Sequence, residues 1–182
     1  MPERWTMWQR NVVNKYKGMS SVDIKEELQN TAHSFAVLME HWKGDFNIST
    51  MLRNANAFNA QRVFYVGRKR WDRRGAVGVH HYTPMEHLKD YDNILALKDR
   101  YTFVAIDNNV PGTTELRNFD WLSLTKPPLM IFGEEGEGLS GEILEHSDYI
   151  VEIPQFGSVR SLNVGTSSGI VMYDYINKLK EV

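Results

Sequence analysis

The segment Leu129-Met130-Ile131-Phe132-Gly133-Glu134-Glu135-Gly136-Glu137-Gly138-Leu139-Ser140 joins an unbroken apolar run to a glycine-rich loop. An apolar run of strand length without polar alternation fits a strand buried on both faces, as in a parallel sheet. Residues 149–153 form a second such run, stopped by Pro154, and Ser161-Leu162-Asn163-Val164 then opens a helix that runs on toward Val182. Two strand-to-loop junctions rich in Gly or Ser therefore fall close together. The rest of the chain reads as support and partner groups for that corner.

Upstream, apolar runs alternate with helical patterns. Ser20 or Ser21 caps a short helix over residues 22–30, with Ile24 and Leu28 one turn apart. Residues 34–39 follow as a strand. The pattern Ile48, Met51, Leu52, Ala55, Phe58 makes one apolar stripe of a helix expected over residues 48–60, with Asn47 at its N-cap. Arg53, about 200° round from Met51, points off that stripe. Residues 62–66 and 101–106 complete the clear strands. Thr83-Pro84-Met85-Glu86 reads as a capping box opening a helix to about Tyr91, with a second helical stretch over residues 93–98. Residues 119–124 read as a short helix. Strands and helices alternating at roughly 20–30 residues predict an α/β fold, a parallel sheet flanked by helices on both faces. In open sheets of this kind ligands bind beyond the strands' carboxyl ends. The ends after Ile106, Phe132 and Ile153 define the expected pocket.

Composition narrows the classes. One domain with a single core accommodates 182 residues. We expect an arm and short helix over residues 1–30 and the α/β domain over residues 31–182. No apolar window is long enough for a membrane span, and the N-terminus lacks the apolar core of a secretory signal, so the expectation is a cytoplasmic protein without membrane association. Cysteine is absent, which removes disulfides and thiol chemistry. The net charge of −2 exerts no global pull on nucleic acid, so the distribution of charge matters more. Arg4, Arg10, Lys15 and Lys17 stand among Trp5, Trp8 and Tyr16, and Arg68, Lys69, Arg70, Arg73 and Arg74 are opposed only by Asp72. These two basic segments suit an RNA-facing surface, although a basic run is equally often a solvated loop.

Several chemistries lack their residues. Gly133, Gly136 and Gly138 space as G-x-x-G-x-G, the reverse of the dinucleotide fingerprint, and no phosphate-binding G-x-x-x-x-G-K-[ST] or hydrolase G-x-S-x-G occurs. His80, His81 and His87 have no carboxylate at ligand spacing, so no metal is expected. What remains is a glycine-lined corner beside a helix start able to bind an anion.

Three blocks, in order and spacing, resemble the motifs of the SpoU/TrmH-type (SPOUT) RNA ribose 2′-O-methyltransferases. They are Asn47-Ile48-Ser49-Thr50-Met51-Leu52-Arg53 with the small-residue helix after it, Gly133-Glu134-Glu135-Gly136-Glu137-Gly138-Leu139, and Ile153-Pro154 followed by Ser161-Leu162-Asn163-Val164. The resemblance covers roughly residues 35–178. It implies a C-terminal trefoil knot, an exception to un-knotted topology. It further implies S-adenosyl-L-methionine as cofactor, a homodimer with sites near its interface, and tRNA or rRNA as substrate. By the same resemblance Ile106, Gly133, Ile153, Ser161 and Leu162 contact the cofactor. Arg53 is the catalytic arginine, supported by Asn47, Glu135, Ser161 and Asn163. A guanidinium is ordinarily protonated, so the family role as base competes with one of orienting the nucleotide and stabilising its 2′-oxyanion.

The chain departs from the family in three places. Asn59 stands where a glycine is usual, and Asn54 and Asn56 where Thr and Asp are common. Some tRNA-binding members carry a C-terminal extension after the last helix that is not seen before Val182, so RNA contacts are expected from the arm and from residues 68–74. A base-methylating enzyme of the same superfamily and a catalytically idle RNA-binding module are the rival readings.

Overall fold

The structure is a computed structural model that describes residues 11–41, 44–108, 110–134 and 136–180. The expectations for Arg4, Trp5, Trp8 and Arg10 of the arm, and for Glu135, fall outside those residues. Helix α1 (Ser21–Asn30) starts where Ser20 accepts a hydrogen bond from the Asp23 N–H, and Thr31 closes it. The remaining elements follow in the expected alternation. They are β1 (His33–Glu40), α2 (Asp45–Ala57), β2 (Ala60–Val66), β3 (Met85–His87), α3 (Tyr91–Leu95), β4 (Thr102–Ile106), β5 (Thr114–Glu115), β6 (Pro128–Phe132), α4 (Gly141–His146), β7 (Tyr149–Glu152) and α5 (Val164–Lys180).

All strand pairs are parallel, and the seven strands run in the order β3-β2-β1-β6-β4-β7-β5. Strand β6 lies between β1 and β4, pairing Leu38 with Ile131 and Ala105 with Ile131. It is buried throughout, which is why its sequence shows no polar alternation. Side chains divide between the two faces with a period of two. Phe35, Val37 and Met39 pack with Met51, Leu52, Val171 and Met172 of α2 and α5. Ala36 and Leu38 pack with Ile94, Leu97 and Ile143 on the opposite face. Helices therefore cover both sides of the sheet.

Three local expectations are corrected. Helix α2 begins earlier, at Asp45, with extended Gly44 as its N-cap, so Asn47 lies inside the first turn and its side chain is released from capping. The Thr83 box opens no helix. Residues 85–87 instead form the edge strand β3, because the backbone finds partners in the sheet: the Val63 N–H donates to the Pro84 carbonyl at 2.9 Å, and Met85 to His87 pair with Val63 to Tyr65. The Thr83 hydroxyl accepts from Asn56 Nδ2 at 3.0 Å, and Pro84 stands at the strand start, where a missing N–H is tolerated. The stretch over residues 119–124 contracts to a single 3-10 turn, Trp121–Ser123. Strand β5 and helix α4 have no counterpart in the sequence reading; each is too short to show a period.

Candidate functional site

A cleft of about 590 Å³ opens at the carboxyl ends of β4, β6 and β7 and the start of α5. All five residues expected at the cofactor line it: Ile106, Gly133, Ile153, Ser161 and Leu162. The loop after β6 closes on itself, with the Glu134 N–H donating to the Gly138 carbonyl at 3.1 Å and the Gly138 N–H to the Glu134 carbonyl at 3.2 Å. Gly133 is required by this approach. A Cβ there would lie 2.1 Å from the Gly138 carbonyl carbon, nearer than any side chain can come. The Leu139 N–H donates to Asp107 Oδ2 at 3.3 Å, so the ends of β4 and β6 are tied together. Asn108 Nδ2 donates to the Arg160 carbonyl at 3.3 Å, tying in the loop before α5.

The first and third sequence blocks meet beside this cleft. Asn163 Nδ2 donates to Asn47 Oδ1 at 2.8 Å, across 116 positions of the chain. The Asn163 Oδ1 accepts from the Thr166 N–H at 3.2 Å, so one amide both starts α5 and holds α2. Gly165 permits the contact, since a Cβ there would stand 2.8 Å from Thr50 Cγ2. One turn further, Asn54 Nδ2 donates to the Gly165 carbonyl at 2.8 Å and to Ser168 Oγ at 3.0 Å. Asn54 and Asn56, two of the departures from the family pattern, therefore bind α2 to α5 and to Thr83 respectively. Asn59, the third, holds a left-handed backbone at φ 49°, a conformation that glycine adopts freely and asparagine tolerates better than most residues. Its Nδ2 donates to the Thr31 carbonyl at 2.9 Å.

Arg53 is exposed on α2, and no described residue pairs with its guanidinium. It does not line the cleft. Ser49, Arg53 and Asn56 share one stripe of α2, at i, i+4 and i+7. The Ser49 hydroxyl donates to the Asp72 carbonyl at 3.2 Å and Asn56 reaches Thr83, so residues 72–83 run alongside the stripe that carries Arg53. Arg68, Lys69, Arg70, Arg73 and Arg74 are all exposed. Arg74 is partly neutralised by Asp72 at 2.5 Å, and Arg73 stands 6.0 Å over the Trp71 ring. The fold thus places the basic segment beside Arg53, which spacing did not reveal.

Three groups of the site lay outside the sequence reading. Asp107 and Asn108 directly follow the strand end at Ile106, and their roles as ties between strand ends exist only once β4, β6 and β7 are neighbours. Gln155, directly after Pro154, lines the cleft, and its Oε1 is buried without a hydrogen-bond partner among the described residues.

Comparison with known proteins agrees with this geometry. The family model described as the SpoU rRNA Methylase family matches residues 34–173. The tRNA (guanosine(18)-2′-O)-methyltransferase of Aquifex aeolicus is 28% identical over 157 residues, covering 83% of this chain and 72% of that protein. The 23S rRNA (guanosine-2′-O-)-methyltransferase RlmB of Haemophilus ducreyi is 24% identical, covering 89% of this chain and 67% of its own. Among solved structures, the A. aeolicus TrmH/SpoU tRNA modifying enzyme superposes with a TM-score of 0.75 at 23% identity, over 88% of this chain and 85% of that one. The AdoMet-bound rRNA methyltransferase of Sinorhizobium meliloti superposes with a TM-score of 0.72 at 22% identity, over 84% of this chain, which spans 60% of that longer protein. A match running from β1 well into α5, over a parallel sheet whose strand ends gather the three blocks, means that the chain belongs to the SpoU rRNA methylase family.

Proposed function

We propose that the protein is an S-adenosyl-L-methionine-dependent RNA methyltransferase that modifies a ribose 2′-hydroxyl of tRNA or rRNA. The observation that carries this reading is the Asn163–Asn47 hydrogen bond, which joins the donor cleft to the helix bearing Arg53. Relatives named as guanosine 2′-O-methyltransferases of tRNA and of rRNA support the acceptor class.

The cleft suits the cofactor on its own chemistry. Apolar Ile106, Phe132, Ile153 and Leu162 offer faces for a purine, and Gly133 leaves backbone groups open to close approach. When bound, S-adenosylmethionine supplies an electrophilic methyl group on a sulfonium sulfur. The side chains of this chain do the rest. Arg53 holds the nucleotide and, as a cation, stabilises charge developing on the 2′-oxygen, whose proton passes to solvent water. Ser161 and the Asn47–Asn163 pair fix the approach of that oxygen, and Glu135 belongs to the same polar set by its place in the second block.

Exposed Arg68, Lys69 and Arg70 and the arm within residues 1–30 contact RNA phosphates. Lys15 is drawn to Glu27 of α1, which anchors the end of that arm. The enzyme works as a homodimer in the cytoplasm. The apolar outer face of α5 supports the dimer, with Ile170 and Tyr173 at 37% and 59% exposure and Phe58 packed edge-on to Tyr173 at 6.3 Å; sedimentation velocity tests it. The C-terminal segment forms a trefoil knot, a reading supported by the insertion of β6 between β1 and β4 and by the close passage at Gly165.

Substitution Arg53→Ala tests the assignment. Methyl transfer to RNA is expected to fall below detection while S-adenosylmethionine binding, read by calorimetry, is unchanged. Undiminished turnover would remove Arg53 from catalysis. Nucleoside mass spectrometry of the product separates a ribose from a base methyl group.

A further inference from the structure

We infer that Glu40 is a positioning residue for the methyl donor, acting from behind the cleft through the backbone of the loop after β6. The inference rests on the reading of the cleft as the S-adenosylmethionine site. That loop is a thin partition. Glu134, Glu137, Gly138 and Leu139 line the cleft on one side and, on the other, a second hollow of about 460 Å³. A wall with open space on both sides has little packing to fix its shape, so its hydrogen bonds decide where its backbone stands.

Two carboxylates grip the descending leg of the loop, one from each strand that flanks β6. Asp107, just past the end of β4, lines the cleft and accepts from the Leu139 N–H at 3.3 Å. Glu40, the last residue of β1, lines the hollow and accepts from the very next N–H, that of Ser140, through Oε2 at 2.9 Å. The pincer exists because β6 lies between β1 and β4. Glu40 is only 5% exposed and closes the apolar run of β1. With a period of two it falls on the face of Ala36 and Leu38, which pack with Leu139 and Ile143. Desolvating a carboxylate there is costly, and a charge-assisted bond to a backbone N–H offsets the cost. Ser140 is also the N-cap of α4, its hydroxyl accepting from the Ile143 N–H at 3.2 Å. Without Glu40 the leg from Gly138 to Ser140 is free to move into the hollow. Gly133 follows it, because the two glycine backbones are packed so closely that a Cβ on Gly133 would lie 2.1 Å from the Gly138 carbonyl carbon. Glu40 therefore shapes the donor wall without lining the donor cleft.

The test compares Glu40→Met, which removes the acceptor at similar volume, with Glu40→Gln, which keeps an oxygen within reach of the Ser140 N–H. Affinity for S-adenosylhomocysteine is read by calorimetry, and affinity for bulk tRNA by filter binding. Glu40→Met is expected to weaken S-adenosylhomocysteine by about tenfold, the lower end of what a hydrogen bond to a charged group contributes. Its tRNA affinity should match the wild type, which also shows that the variant is folded. Glu40→Gln should return to within about threefold of the wild type, a neutral acceptor being weaker than a charged one. Should Glu40→Met not fold, Glu40→Asp serves: it keeps the charge, retracts it by one methylene, and is expected to weaken the same ligand alone. Undiminished S-adenosylhomocysteine affinity in the Met or Asp variant overturns the inference. So does a parallel loss of tRNA binding, which would mark a general destabilisation, and so does a Gln variant as weak as Met. Absence of S-adenosylhomocysteine binding to the wild type overturns the methyltransferase reading itself, and this inference with it.

Discussion

Burial moves the His80 imidazole from its ordinary 6.5 down to about 4, with His81 and Arg73 adding repulsion toward the charged form. Its Nδ1 is enclosed without a hydrogen-bond partner among the described residues, and its ring lies 4.1 Å from that of His81. The sign of the consequence follows from linkage. Between pH 6.5 and about 4 the unfolded chain binds a proton at this position that the folded chain refuses, so stability falls as pH drops through that window. Above it the contribution is fully present. The variant His80→Phe should therefore lose less melting temperature than the wild type between about pH 7 and about pH 4.5. Equal losses in the two proteins would show that other groups govern the acid limb. The three histidines of this region were visible in the sequence, but the enclosure that suppresses ionisation of one of them was not. It arises because the turn Val79–His81 folds back against α2, an approach between segments some 25 residues apart in the chain.

Helices α2 and α5 owe their junction to polar as much as to apolar contacts. Their apolar stripes meet through Met51, Leu52, Val171 and Met172, and such stripes can slide past one another. Asn54 removes that freedom by gripping both the Gly165 carbonyl and the fully buried Ser168 hydroxyl. Asn54→Ala should cost about 1–3 kcal/mol in urea unfolding, since it removes two hydrogen bonds around a buried hydroxyl. It should also weaken cofactor binding, because α5 carries Val164 and Ser167 of the cleft wall. Full stability in that variant would mean that the apolar stripes alone define the register. The stripe of α2 was legible in the sequence from its period. The N-cap was not, because a glycine in extended conformation competes with Asn47 for that place, and only the partner Asn163 shows why Asn47 is better used inside the turn. The Thr83 box failed for a related reason: a local capping preference of about 1 kcal/mol yields to pairing with a buried strand.

Residues 68–74 present a basic run to solvent, held at Asp72 against Ser49 of the stripe that carries Arg53, while Glu40, Glu134 and Glu137 line a second hollow beside the loop after β6. An RNA strand drawn to the basic flank would release counterions, and its affinity would fall with salt. Replacing Arg68, Lys69 and Arg70 by alanine should flatten the slope of log affinity against log salt by about 2, at about 0.7 for each phosphate left without its cation. An unchanged slope would move the RNA surface elsewhere. Arg74 is the weakest contributor expected in this run, because Asp72 already occupies it.

From the sequence alone, the buried strands, the α/β alternation and the glycine-lined loop after β6 were legible, because each leaves a local mark: an unbroken apolar run, a period, or a residue type at a strand end; the five residues of the cleft wall followed from the resemblance of the three blocks. Tertiary structure alone decided what joins them. Asn47 and Asn163 become partners, Asp107 becomes a tie, Gln155 becomes a buried acceptor, and the basic run comes to lie beside Arg53. Those facts depend on strand order, which places β6 between β1 and β4 and so brings remote segments within hydrogen-bond reach. No local pattern carries strand order, because it is selected by packing across the whole sheet.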